Sequence, residues 1–192
     1  MTELIIEAFT YGSNQTRAEV VLRPVIPEAI RGNLAALDAW AKELVSELGT
    51  DLKHTDVWTC EICGKPARET QYDMASWTRL AQPRIVLYIH HVCEAGANPC
   101  STLLDRQSAQ MAQMAGNAPD IKKRDKPADV QFPLSAGCLN CQDDKTAGPK
   151  LSRCGGCKLV RYVCGSECQK ADWKRHKKIC KMIKSAKFVD AV

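Results

Sequence analysis

At 192 residues the chain has room for one or two domains but not for a large catalytic scaffold with accessories. Hydrophobic residues make up 45% and aromatics only 6%, which suits a globular protein of small modules that bury too little surface to hold together without staples. The apolar run Leu4 to Ile6 is too brief for a leader and no run approaches the roughly 20 residues that cross a bilayer, so a membrane protein is excluded and the expected location is intracellular, nucleus or cytoplasm. Eleven cysteines, six of them in CxxC pairs, argue against a disulfide framework and for thiols kept reduced.

Two apolar runs, Leu4 to Phe9 and Val20 to Val25, flank the polar stretch Tyr11 to Gln15 and predict a hairpin. From Glu28 to Leu48, Ile30, Leu34, Leu37, Ala41, Leu44 and Leu48 recur every three or four residues. That period predicts an amphipathic helix starting after Pro27 and ending at Gly49, its apolar stripe packed on the neighbouring strands. Cys60 and Cys63 then form a CxxC whose following Gly64 fits the tight turn of a zinc knuckle. Between Arg84 and Val92 the residues alternate, with Ile85, Leu87, Ile89, His91 and Cys93 on one face of a predicted strand and Val86, Tyr88, His90 and Val92 on the other. Cys100 precedes Ser101, which is expected to cap a helix running to Met114 and stopping at Gly116 and Asn117. Cys60, Cys63, Cys93 and Cys100 would suffice for a zinc site, and His91 is a rival ligand because it shares a strand face with Cys93. The competing reading is four free buried cysteines. Residues 117–137 carry three prolines and the cluster Lys122, Lys123, Arg124 and Lys126, the mark of a solvated linker between domains; a nuclear localisation signal is the less favoured reading of that cluster.

The last third of the chain concentrates the chemistry. Cys138 and Cys141, Cys154 and Cys157, Cys164 and Cys168, and His176 and Cys180 are four pairs with two or three residues between partners. Zinc takes four tetrahedral Cys or His donors, so eight donors in four pairs call for two structural zinc ions, partitioned either sequentially or in an interleaved way. Zinc-bound cysteines are thiolates, so the formal net charge of +5 falls by about 3 with these two sites loaded and by about 2 more with a third. A near-neutral loaded protein removes overall basicity as an argument for nucleic acid.

The run RYVCGSECQKADWKRHKKIC resembles the signature of the MYND-type zinc finger: an aromatic at Tyr162, Cys164 and Cys168, Gln169, Trp173, then His176 and Cys180. The resemblance covers residues 138–180. It implies interleaved sites, one of Cys138, Cys141, Cys164 and Cys168 and the other of Cys154, Cys157, His176 and Cys180. It also implies a shallow groove at Gln169 and Trp173 in which a short proline-containing peptide of a protein partner lies extended, although Gly155 and Gly156 stand where the family's peptide binders carry a polar residue. The bland alternative for Trp173 is packing between the two knuckles.

From Ser166 onward a helix is expected, with Gln169, Trp173, His176, Cys180 and Ile183 turned to metal and core and Lys170, Lys174, Lys177, Lys181 and Lys184 on a charged stripe. The expected architecture is α+β: an N-terminal α+β domain with a zinc knuckle over 1–116, a linker over 117–137, a MYND-like double-zinc finger over 138–180, and a helix extension and tail over 181–192. The expected function is partner-protein recognition without catalysis, in transcriptional or other regulation. The alternatives are a nucleic-acid-associated regulator using the basic helix, and an accessory of a lysine methyltransferase or ubiquitin ligase system.

Overall fold

The computed structural model describes residues 3–114, 116, 131–148, 151–163 and 166–189. The first apolar run is β1 (Ile5–Tyr11) and the second β2 (Arg17–Leu22), an antiparallel hairpin in which Ile6 faces Leu22 and Ala8 faces Val20. Its turn, closed by the Thr16 N–H donating to the Ser13 carbonyl at 3.1 Å, holds Asn14 and Gln15 at φ of 53° and 62°. Such left-handed pairs match the twist of the flanking strands.

Residues expected to open the long helix do not. Glu28–Ile30 form a single 3-10 turn, and α1 begins at Leu34, where the Asn33 side chain accepts from the Ala36 N–H at 3.1 Å. An Asn cap satisfies an otherwise orphaned donor, and this outweighs the apolar period upstream. At the other end α1 runs through Gly49 to Lys53, because Asp51 and Leu52 are buried against the rest of the molecule and repay the glycine's weak propensity.

Strands β3 (Glu69–Trp77) and β4 (Arg84–Val92) pair antiparallel, and β4 lies parallel to β1. Ile85, Leu87 and Ile89 of β4 are buried on the face expected from their alternation. Helix α2 (Pro99–Met114) is capped by Asn98, whose Oδ1 accepts from the Cys100 and Ser101 N–H groups at 2.9 and 3.0 Å; Ser101, expected as the cap, lies inside the first turn. Pro99 fits the first helical position, where no N–H is needed. Further on, β5 (Ser152–Arg153) and β6 (Arg161–Tyr162) form a small ribbon, followed by α3 (Ser166–Met182).

The chain does not end in a helix extension. Ile183–Val189 form β7, which pairs antiparallel with β2 and completes a five-stranded sheet of order β3-β4-β1-β2-β7. Ile183 and Lys184, assigned from the sequence to the two stripes of the helix, are therefore strand residues. The register places Ile183, Ala186 and Phe188 beside Leu22, Val20 and Ala18. The helical period broke at Ile183 because a strand edge needing hydrogen-bond partners lay within reach, and main-chain pairing satisfies both edges.

One core results. Leu4, Ile6, Val20, Leu22, Ile85 and Leu87 of the sheet, Leu44, Leu48 and Leu52 of α1, and Leu139, Leu159, Val160, Tyr162 and Ile179 from the last third pack into a single buried cluster. Residues 131–137, expected as the end of the linker, are part of this body: Ser135 and Ala136 are buried and the Ser135 N–H donates to the Ala67 carbonyl at 2.8 Å. The basic cluster at 122–126 lies outside the described residues. Among the described residues no helix is long and apolar enough to cross a membrane.

His54 closes α1 and joins it to the last third. Its Nδ1 lies 3.2 Å from the Gly137 carbonyl, and its own carbonyl accepts from the Arg161 N–H at 3.1 Å. Burial, reinforced by the Lys53 charge, pushes the imidazole down to about 4. The unfolded chain thus takes up this proton at higher pH than the folded one, so stability is complete above the ordinary histidine range near 6.5 and is lost as pH falls through about 4. Urea unfolding is expected to show the wild type losing about 2 kcal/mol more than His54→Gln between pH 7.5 and 5. Equal losses would show that His54 does not resist protonation.

Candidate metal centres

Three clusters of thiols and imidazole are built by three different local devices. In the first, the chain reverses after Cys60: the Gly64 N–H donates to the Cys60 carbonyl at 2.9 Å and the Cys60 N–H to the Lys65 carbonyl at 2.7 Å. Gly64 has φ 73°, a conformation that a side chain would strain. The Glu61 N–H donates to the His91 carbonyl at 3.0 Å, which pins this knuckle to the end of β4 and so to Cys93. Cys100 arrives on the first turn of α2, and its Sγ lies 3.9 Å from that of Cys93. The Sγ atoms of Cys60, Cys63, Cys93 and Cys100 all lie within 4.8 Å of one another. His91, the rival from the sequence, is outside this group: its Nδ1 is 3.1 Å from the Tyr11 carbonyl and its ring stacks on Trp58 at 4.5 Å.

The second cluster gathers Cys154, Cys157, His176 and Cys180. The Lys158 N–H donates to the Cys154 carbonyl at 3.0 Å, and Lys158 takes a φ of 58° to complete the turn between β5 and β6. His176 and Cys180 lie one turn apart on α3, hence on one face. Gly156 explains itself here: a Cβ at that position would sit 3.0 Å from the Cys180 Sγ. Gln169 of α3 points Nε2 at the Cys154 Sγ, 3.4 Å away, and so donates to a sulfur of the cluster. Trp173 is 38% exposed and meets the His176 ring edge-on at a centroid distance of 6.3 Å.

In the third cluster Cys138, Cys141 and Cys168 come together, with Cys141 and Cys168 sulfurs 3.5 Å apart. Cys164, the remaining expected member, lies outside the described residues. The turn is fixed by the Gln142 N–H donating to the Cys138 carbonyl and by the Thr146 hydroxyl accepting from the Cys138 N–H, both at 2.9 Å. The two clusters of the last third interleave along the chain, since 138 and 141 meet 168 while 154 and 157 meet 176 and 180.

These donor sets fit zinc. Tetrahedral Zn–S bonds of about 2.3 Å place two sulfurs about 3.8 Å apart, and a sulfur and an imidazole nitrogen about 3.6 Å apart. The Cys93–Cys100 and Cys154–Cys180 sulfur pairs are each at 3.9 Å, and Cys157 Sγ is 3.5 Å from His176 Nε2. The thiols also compete for charge as such a site requires. A backbone N–H from Lys65 brings Cys63 down to about 7, whereas burial and the neighbouring sulfurs push Cys100 up to about 11 and Cys180 up to about 12. Several thiolates cannot share one spot without a cation, and a bound dication displaces the remaining protons.

A fourth grouping, Asp51, Asp172 and His176, is of another kind. The Arg175 guanidinium lies between the carboxylates, donating to Asp51 Oδ1 at 2.6 Å and to Asp172 at 2.8 Å, so one of their two charges is compensated and three of their four oxygens are engaged by this cation. The Tyr162 hydroxyl donates to Asp172 Oδ2 at 2.9 Å, and His176 Nδ1 meets Asp51 Oδ2 at 2.9 Å. Asp51 was not singled out from the sequence. Its signal was there: it continues the Ala41, Leu44, Leu48 stripe of α1, and a carboxylate on an apolar face needs a buried partner.

Residues 138–180 match the MYND finger family. A 54-residue stretch is 41% identical to the SET domain and MYND-type zinc finger protein 6 of Schizosaccharomyces pombe, covering 28% of this chain and 10% of that protein. Forty-five residues are 44% identical to the SET domain-containing protein 14 of Caenorhabditis elegans, 23% of this chain and 10% of that one. A longer stretch, 79 residues, is 35% identical to Protein CBFA2T2 of Xenopus laevis, 38% of this chain and 12% of that protein. The chain thus spans about a tenth of the length of these relatives, and no solved structure matches it. Interleaved Cys/His clusters with zinc geometry and the family match agree: residues 138–180 are a MYND-type zinc finger, a zinc-binding protein-interaction module.

Proposed function

We propose that this chain is a non-catalytic recognition protein whose finger takes a short, extended peptide segment of a partner protein beside Trp173 and Gln169, and whose fold is held by three structural zinc ions. The ligands in this reading are Cys138, Cys141, Cys164 and Cys168; Cys154, Cys157, His176 and Cys180; and Cys60, Cys63, Cys93 and Cys100. Four protein donors per ion leave no open position for a water or substrate, which supports a structural role. The observation that carries the recognition reading is Trp173: an indole 38% exposed on a helix whose neighbouring face holds buried metal donors. An exposed indole rigidly held at one edge is a good anchor, since few rotamers are lost on binding, and an extended peptide adds main-chain hydrogen bonds to it.

Lys170, Lys174, Lys177, Lys178 and Lys181 are exposed on α3 beside this residue. They favour acidic residues flanking the partner's peptide. Nucleic acid is the weaker alternative, because Trp173 is the only aromatic on α3 for bases to stack on. Regulation in the nucleus or cytoplasm is the process this reading serves best.

The test is a pull-down from extract with the full chain against Trp173→Ala, read beside thermal unfolding and zinc content. The variant is expected to lose at least tenfold in partner capture while its unfolding midpoint and metal content stay unchanged. A variant that keeps every wild-type partner would remove the groove from the reading.

A further inference from the structure

Asp51 has no solvent exposure, and it stands on α1, 125 residues before the histidine it meets. A buried carboxylate is costly unless its oxygens are used, and both are: Oδ1 accepts from Arg175 Nη2 at 2.6 Å, and Oδ2 lies 2.9 Å from His176 Nδ1. A carboxylate only accepts, so the proton of this pair resides on Nδ1. The lone pair of the ring is then on Nε2, and Nε2 is the atom that faces the Cys157 sulfur at 3.5 Å. Arg175 braces the carboxylate from the other side and is itself held by Asp172. Histidine side chains that ligate metals are commonly oriented by such a carboxylate, which fixes the tautomer and raises the donor strength of the ligating nitrogen.

We propose that Asp51 is a positioning residue for the metal site of Cys154, Cys157, His176 and Cys180, so that this finger's zinc centre is completed by a side chain of α1 lying outside the finger. Metal affinity at this centre and the seating of α1 against residues 161–179 are then linked. The proposal rests on the reading of these four residues as a zinc site, and the other two clusters, whose described members include no histidine for Asp51 to orient, serve as internal references.

The test uses the full chain, loaded with zinc for chelator competition and with cadmium-113 for NMR, where a centre of three sulfurs and one nitrogen resonates apart from centres of four sulfurs. Asp51→Ala is expected to weaken metal binding about 10- to 100-fold at the nitrogen-containing centre and to shift or broaden its cadmium resonance, with the all-sulfur centres within about twofold of wild type. Asp51→Asn, which can still accept from Nδ1, is expected to recover part of the loss. Asp56→Ala is the structural control: Asp56, three residues past α1, pairs with Arg153 Nη2 of β5 at 2.8 Å and so joins the N-terminal part of the chain to the finger through another contact than His176. If Asp51→Ala left the centre at wild-type affinity, or if Asp56→Ala weakened it as much, Asp51 would be only a packing contact and the proposal would be overturned. A wild-type chain with no nitrogen-containing cadmium centre would overturn the site itself, a different result from an insensitive variant.

Discussion

Elemental analysis of the purified chain is expected to return three zinc ions per molecule, and stripping them with a chelator is expected to unfold residues 138–180 and release β7 from β2. The magnitude follows from the coupling of metal binding to folding. A structural zinc site contributes on the order of 10 kcal/mol, comparable to the whole stability of an ordinary domain of about 5–15 kcal/mol. Cys138, Cys154 and Cys168 are members of the central core cluster, and Leu139, Leu159, Val160, Tyr162 and Ile179 reach it from the same segment. Once the knuckles open, those side chains lose their positions, and α1 and the inner face of the sheet lose part of their cover. Far-UV circular dichroism should therefore report loss of strand as well as helix, recovered when zinc is returned. Unchanged spectra after complete metal removal would refute the structural role. A count of two would remove the site at Cys60, Cys63, Cys93 and Cys100, whereas Cys100→Ser is expected to lower the count from three to two; a Cys100→Ser chain still holding three would transfer the fourth ligand, with His91 first in line.

Trp58→Ala is expected to destabilise the protein by about 3–5 kcal/mol in urea unfolding. Trp58 is 1% exposed, packs with Ala18, Ala67 and Phe188, and stacks on His91 at 4.5 Å. Its indole N–H donates to the Thr55 hydroxyl at 2.8 Å, and its ring edge leaves only 3.0 Å for a Cβ at Gly12. Alanine would leave a cavity beside Ala18, Ala67, Phe188 and the His91 ring and would leave the Thr55 hydroxyl without its indole partner. Trp173→Ala removes the same side chain from a half-open surface and is expected to change stability by under about 0.5 kcal/mol. Similar losses at the two positions would mean that Trp173 is a core residue after all and that the exposed anchor does not exist.

The contrast between these tryptophans marks where sequence reading reached its limit. Spacing alone carried the paired cysteines of the last third, since a zinc ion demands four donors at fixed separations whatever surrounds it. The hairpin, the strand at Arg84–Val92 and the amphipathic stripe of α1 were legible because their periods are local. The ends of elements were not. Asn33 and Asn98 took the caps expected after Pro27 and at Ser101, and Gly49 did not stop α1, because capping geometry and burial beyond it outweighed propensity.

What the sequence determined by itself, then, is the inventory: which residues can hold metal, which helix is amphipathic, and that residues 138–180 carry a zinc finger. Tertiary structure alone decided that this finger is not a separate appendage. Ile183–Val189 became the sheet's edge strand, and Asp51 came to rest against His176 across 125 residues of chain. Neither could be read in advance, for the same physical reason: an open strand edge and a buried carboxylate each fix what kind of partner they need, but only the folded chain fixes which residue supplies it.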